Sequence, residues 1–104
     1  MYLPKKYQDF ASSYPEIFET NKDLGVKIRA SGPLDVKTQN LVKLGIAVGA
    51  NSRGAVMSHT RKAIANGATK EEINHAILLA MSTTGFPNMI ASFYWADEVL
   101  KKDK

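Results

Sequence analysis

The chain has 104 residues, 44% of them hydrophobic and 23% charged, with a formal net charge of +4, a pI near 9.4 and no cysteine. That length suits one domain rather than two, and the missing cysteines exclude disulfides, thiolate metal sites and thiol nucleophiles. The basic excess is scattered among acids except at Lys101, Lys102 and Lys104, where cations complement a helix C-terminus, so no nucleic-acid partner is expected.

A domain of this size buries roughly two thirds of its unfolded surface, so a further interface would add to its stability. Met1–Lys6 is basic but leads into no apolar run, so no leader peptide is expected. The longest apolar stretch, Leu41–Ala50, is interrupted by Lys43 and is too short to span a bilayer. The expectation is a cytoplasmic protein with no membrane contact.

In chain order, Pro4 suits the first turn of a short helix reaching about Ala11, with Tyr7, Phe10 and Ala11 on one face. Ser13, with Glu16 three residues on, has the pattern of a capping box. The helix it would open carries Ile17, Leu24 and Ile28 on one face and ends near Ala30, before the Gly32-Pro33 break. Asp35 is the next N-cap candidate. The helix after it is apolar nearly all round through Leu41, Val42, Leu44, Ile46, Ala47 and Val48, which predicts burial on every side, either at the centre of the fold or against a second subunit.

Past the joint Gly49-Ala50-Asn51, a helix is predicted from Arg53 to Asn66, closed by Gly67 in the left-handed conformation. Thr69 and Glu72 form a second capping box. Its helix carries Ile73, Ala76, Ile77, Ala80 and Met81 as an apolar stripe and runs to Gly85. Pro87 opens the last helix, with Met89, Ile90, Phe93, Ala96, Val99 and Leu100 facing inward. No segment alternates like a strand. The fold class is therefore all-α, a bundle of about six helices. Small residues recur in the middle helices and leave few large side chains for a core, a second sign of self-association.

Several motifs then point to a family. Leu34-Asp35-Val36-Lys37-Thr38 opens the apolar helix, His59 follows, and Ala65-Asn66-Gly67-Ala68-Thr69-Lys70-Glu71-Glu72-Ile73 comes next. Gly85-Phe86-Pro87 closes the series, followed by Ala91 one residue early. In this order and spacing, over about residues 34 to 100 of the single domain 1–104, they resemble the carboxymuconolactone decarboxylase family, a relative of alkylhydroperoxidase D. The resemblance implies an alkylhydroperoxidase D-like helical bundle that assembles into trimers or hexamers. It also implies one of two chemistries: a thiol relay reducing peroxides, or cofactor-free proton transfer on a carboxylated lactone.

Counted back from His59, the two cysteine positions of the thiol branch fall on Ser52 and Ala55, and its glutamate falls on Asn40. A serine hydroxyl supplies neither the accessible thiolate nor the disulfide such a relay needs. The decarboxylase branch often has a glutamate four residues before its histidine, where this chain has Ala55. It fits better nonetheless, with His59 as acid/base catalyst. Lys62 is the first choice to attract the carboxylate, and Ser52 and Asn40 are candidates to line a polar pocket. Arg53 and Arg61 point away from the His59 row, towards solvent or a neighbouring subunit.

Plainer readings stand beside these. His59 can be a structural histidine, Lys62 a surface lysine, and Asn40 and Ser52 buried hydrogen-bonders. His75 reads as a surface residue, Tyr94 and Trp95 as core and interface, and Met57, Met81 and Met89 as gap-fillers. With two histidines and no cysteine, no metal site is expected, and no cofactor. Three functions follow: a decarboxylase-like enzyme, a catalytically degenerate homo-oligomer that binds a small molecule or a protein, and a peroxide-detoxifying role disfavoured by the absence of thiols.

Overall fold

The computed structural model describes residues 4–102. Met1 to Leu3 of the basic N-terminal stretch, and Lys104 of the basic tail, lie outside the described residues. Among the described residues there are seven helices and no strand. They are α1 (Lys5–Ser13), α2 (Pro15–Arg29), α3 (Val36–Gly49), α4 (Arg53–Ala65), α5 (Lys70–Leu78), α6 (Met81–Thr84) and α7 (Phe86–Lys102). None of them is long and apolar enough to cross a membrane. The chain divides into two compact units, one ending at Pro33 and one starting at Leu34.

The first unit is the helical hairpin α1–α2, in which no residue is buried. Pro4 is the N-cap of α1 rather than a first-turn residue, and α1 runs on to Ser13. Ser13 is therefore helical and cannot cap α2. That place falls to Tyr14, which makes no side-chain cap bond. The predicted capping box fails because Pro15 occupies the first helical position, where its fixed φ and missing N–H fix the start one residue later. The rings of Phe10 and Tyr14 pack at a centroid distance of 5.4 Å across the turn.

The second unit holds the core: Leu44, Val48, Val56, Ala63, Ile73 and Ile77, with Met89 and Ala96. The starts of α3, α4 and α5 are chemically marked. The Asp35 carboxylate accepts the Thr38 N–H at 2.8 Å, and hydrogen bonds from the Thr38 side chain and backbone hold its carboxyl below the usual carboxylate range. Thr69 and Glu72 form the expected capping box at α5. Gly67 takes a φ of +96°, as the sequence requires of the residue ending α4.

The structure departs from the sequence reading at α5, and at α3 it shows that a single chain does not supply the burial expected on every side. In α3, Leu44, Ala47 and Val48 are buried, but Val42 and Ile46 are 48% and 66% exposed, so one stripe of this apolar helix stays open. The long helix expected up to Gly85 tightens at Leu79–Ala80. There Ala80 N–H bonds Ile77 O and Thr83 N–H bonds Ala80 O, three residues back rather than four. The tightening separates the four-residue α6 from α5, so the path is that of about six helices with one interruption. It also rotates the register, and Met81 points outward at 42% exposure. On α7 the inward residues Met89, Ala96 and Val99 are buried as predicted. Trp95 packs against the core, whereas Tyr94, expected in a core or interface, is 70% exposed.

Candidate functional site

The residues singled out by the sequence lie on α3 and α4, which pack closely in the second unit. Ser52 is the N-cap of α4, and its Oγ accepts the Ala55 N–H at 3.3 Å. Asn40 is buried on α3 and spends its Nδ2 on the Val36 carbonyl at 3.0 Å. Both therefore have structural work, the one in starting a helix and the other in satisfying itself within one. What each retains for a ligand is the Ser52 O–H proton and the Asn40 Oδ1.

His59 lies two turns into α4, partly buried. Its Nδ1 is buried and has no hydrogen-bond partner among the described residues. Burial, and then the charges of Lys62 on its own helix and Lys43 on α3, push its pKa down from 6.5 to about 4. The free imidazole is thus neutral near neutral pH. The ordinary imidazole pKa does not carry over to this environment, because burial penalises the imidazolium.

Lys62 is exposed, as a surface lysine would be. Lys43 is only partly exposed. Sequence reasoning used Lys43 merely as a break in an apolar run. The signal that could have found it is its register: Lys43 stands three residues after Asn40 and next to Leu44, on the buried side of α3. Arg53, expected to face solvent or another subunit, pairs with Glu98 of α7 at 2.9 Å.

One groove lies elsewhere. It has a volume of about 520 Å³ and runs between α3, α5 and α6, with Leu41, Val42, Ala76, Leu79 and Thr83 among its walls and exposed His75 on its edge. None of Asn40, Ser52, His59 and Lys62 lines it. Of its titratable walls, Glu72 is tied to Lys37. A second groove of about 440 Å³ lies where the α3–α4 joint meets α7. There Asn88 bridges the two, accepting from Thr84 at 2.6 Å and donating to Asn51 at 3.1 Å. The candidate chemistry stays at His59, the histidine that the family-like motifs single out, because in the first groove Glu72 is spent on Lys37 and His75 is exposed.

Comparison with known proteins bears on the whole arrangement. The family model described as "Carboxymuconolactone decarboxylase family" matches residues 15–98. Uncharacterized protein MJ0742 of Methanocaldococcus jannaschii is 29% identical over 90 residues, covering 86% of this chain and 83% of that protein. Uncharacterized protein MJ1511 of the same organism is 32% identical over 76 residues, covering 73% and 71%. The crystal structure of apo-lpg0406, a carboxymuconolactone decarboxylase family protein from Legionella pneumophila, superposes with a TM-score of 0.84 at 22% identity, over 96% of this chain and 89% of that one. At that identity the superposition speaks for the fold.

Proposed function

The chain belongs to the carboxymuconolactone decarboxylase family, and from that premise we propose that it performs cofactor-independent proton transfer on a small carboxylated lactone or related acid, with His59 moving the proton. The observation that carries the reading is the His59 imidazole, partly buried, with Nδ1 unpartnered, amid positive charge. In the reaction the bond from the ring carbon to the carboxylate breaks. Its electron pair moves into the lactone's conjugated carbonyl, carbon dioxide leaves, and the neutral His59 imidazole relays a solvent proton to carbon, one ring nitrogen donating as the other accepts. Lys62 attracts the carboxylate, and Ser52 and Asn40 offer the polar atoms left to them.

The test is carbon dioxide release from a panel of carboxylated lactones. The expected result is turnover by the parent and a loss of about 10²–10⁴-fold in His59→Ala, the usual contribution of a general acid or base. Equal rates in the two proteins would overturn the mechanism.

A second reading, a ligand-binding module without turnover, is favoured by the structural use of Ser52 and Asn40. Binding of such acids with no carbon dioxide released would select it. A peroxide-reducing role has no thiol to carry it in this chain. Self-association as a trimer or hexamer in the cytoplasm belongs to the same proposal. The open apolar stripe of Val42 and Ile46 supports the assembly, and sedimentation equilibrium tests it.

A further inference from the structure

We propose that the α1–α2 hairpin is a docking arm: its α2 helix lies in the apolar groove between α3, α5 and α6 of a second copy of this chain, running parallel to that copy's α3. This rests on the self-association proposed above and names the two surfaces that make it.

The arm is an element without an interior. α1 has 9 residues and α2 has 15, lengths at which isolated helices are marginal in water, and no residue of either is buried. Ile17, Leu24 and Ile28 recur at helical spacing along α2, with Asn21 the one polar residue among them, and each of the three is more than half exposed. A row of this kind is completed by an apolar surface. The groove offers one. Leu41, Val42, Ala76 and Leu79 are among its walls, and Val42 and Leu79 are exposed, as is Ile46, which extends the α3 stripe.

Charge sets the direction. At about 3.6 residues per turn, the apolar row of α2 is edged by Glu16, Asp23 and Lys27 on one side and by Lys22 and Arg29 on the other. Around α3, Lys43 stands beside the stripe of Val42 and Ile46, on the side away from Leu41. On α5, exposed Glu71 stands one turn before His75, at the opposite edge of the groove. Laid parallel to α3, α2 sets its net acidic edge against Lys43 and its basic edge against Glu71. Laid antiparallel, it sets like charge against like.

Direction also decides whose arm fills the groove. The 14 residues of α3 span about 21 Å, and a chain that lays α2 parallel to its own α3 must return along that length. Ala30 and Ser31 are wound into the end of α2, where their N–H groups bond the carbonyls of Val26 and Ile28. Four residues, 32–35, then remain before α3, and they reach at most about 14 Å. Connections this short join antiparallel neighbours. The α2 helix in the groove therefore belongs to a second copy, and the contact is heterologous, an arm from one copy on the groove of the other.

The experiment is sedimentation equilibrium on the full chain, as parent, as Leu24→Glu, as Val42→Glu and as an equimolar mixture of the two variants. Both side chains are exposed, so each variant should keep the parent's emission from Trp95, which packs against the core of the second unit. The parent should assemble. Each variant alone should assemble about tenfold or more weakly, because every contact it can make buries a carboxylate. The mixture should regain a two-chain species at concentrations where neither variant forms one, since the intact arm of Val42→Glu meets the intact groove of Leu24→Glu. Assembly of Leu24→Glu like the parent, with Val42→Glu monomeric, would uphold self-association and overturn the arm. Loss in both variants with no recovery on mixing would also overturn it, by showing that each surface packs against its own kind. A monomeric parent would sink the arm and the self-association together, and would leave the carbon dioxide test of His59 untouched.

Discussion

Lys37 Nζ on α3 lies 3.0 Å from Glu72 Oε2 on α5, while the other oxygen of Glu72 accepts the Thr69 N–H at 2.9 Å. One carboxylate thus closes the capping box of α5 and ties that helix to α3. Replacing Thr69 by alanine removes the Oγ that accepts the Glu72 N–H at 3.1 Å, and should cost about 1 kcal/mol. Glu72→Gln keeps the reciprocal bond in kind but loses the charge on Lys37, so it should fall between the parent and Glu72→Ala. Urea midpoints at unchanged m-value report this order. The hydrogen bond from the Thr69 backbone, and then that from Lys37, hold the Glu72 carboxyl below its usual value of 4.5. Its contribution is therefore present above that pH and is lost as pH falls through the lower folded value.

Ser52 tests whether a residue at a family site position works as a helix cap. Its Oγ accepts the Ala55 N–H at 3.3 Å, so Ser52→Ala should destabilise the protein by about 1 kcal/mol, and Ser52→Asp, itself a strong cap, should recover most of the loss. Thermal melts of the three proteins decide it. Equal melting temperatures for the parent and Ser52→Ala would show that the cap contributes nothing, leaving Ser52 to be judged by ligand binding alone.

Local rules reached most of the fold, and the failures share a cause. Asp35, Thr69 and Gly67 act within one turn of themselves, so their roles were legible. Ser13 was misread because its neighbour Pro15 dictates the start of α2, a conflict between two local signals of which the covalent one wins. The break at Leu79–Ala80 left no mark on the sequence, because a helix tightening to three-residue bonds keeps its helical dihedrals and its composition. The site was legible only in part. His59 came from a resemblance, whereas its partly buried setting and the charge of Lys43 that reaches it from α3 come from packing between helices. Neither is a property of its own stretch of chain. The open stripe at Val42 and Ile46 has the same character, since the pattern specified an apolar surface and not what covers it.

Two glycines should respond in opposite directions to the same change. Gly67 sits at φ +96°, a conformation that L-residues rarely adopt, so Gly67→Ala should destabilise by about 1 kcal/mol or more even though a Cβ there meets no atom within 4 Å. Gly45 lies inside α3 with ordinary helical dihedrals and equally open space around its Cβ. Gly45→Ala should stabilise by up to about 1 kcal/mol through helix propensity and a less free unfolded chain. Chemical denaturation of the two variants measures the pair. A stabilised Gly67→Ala would mean that the left-handed turn is not what closes α4.

His59 gives the fold a pH dependence above the range of the capping carboxylates. Its folded pKa of about 4 lies below the ordinary 6.5, first because burial penalises the imidazolium and then because Lys62 and Lys43 repel it. Between these values the unfolded chain binds a proton that the folded chain refuses, so stability rises with pH across the window. The contribution is fully present above 6.5 and is lost progressively as pH falls towards about 4. Asp35 and Glu72 act in the same direction but only below their usual values of 3.8 and 4.5, which leaves the upper part of the window to His59. On lowering the pH from about 7 to about 5, the parent should lose roughly 1 kcal/mol more than His59→Gln, after allowance for solvent screening of a partly exposed group. Urea denaturation of both proteins at the two pH values makes the comparison. Equal losses would mean that the site does not suppress His59 protonation.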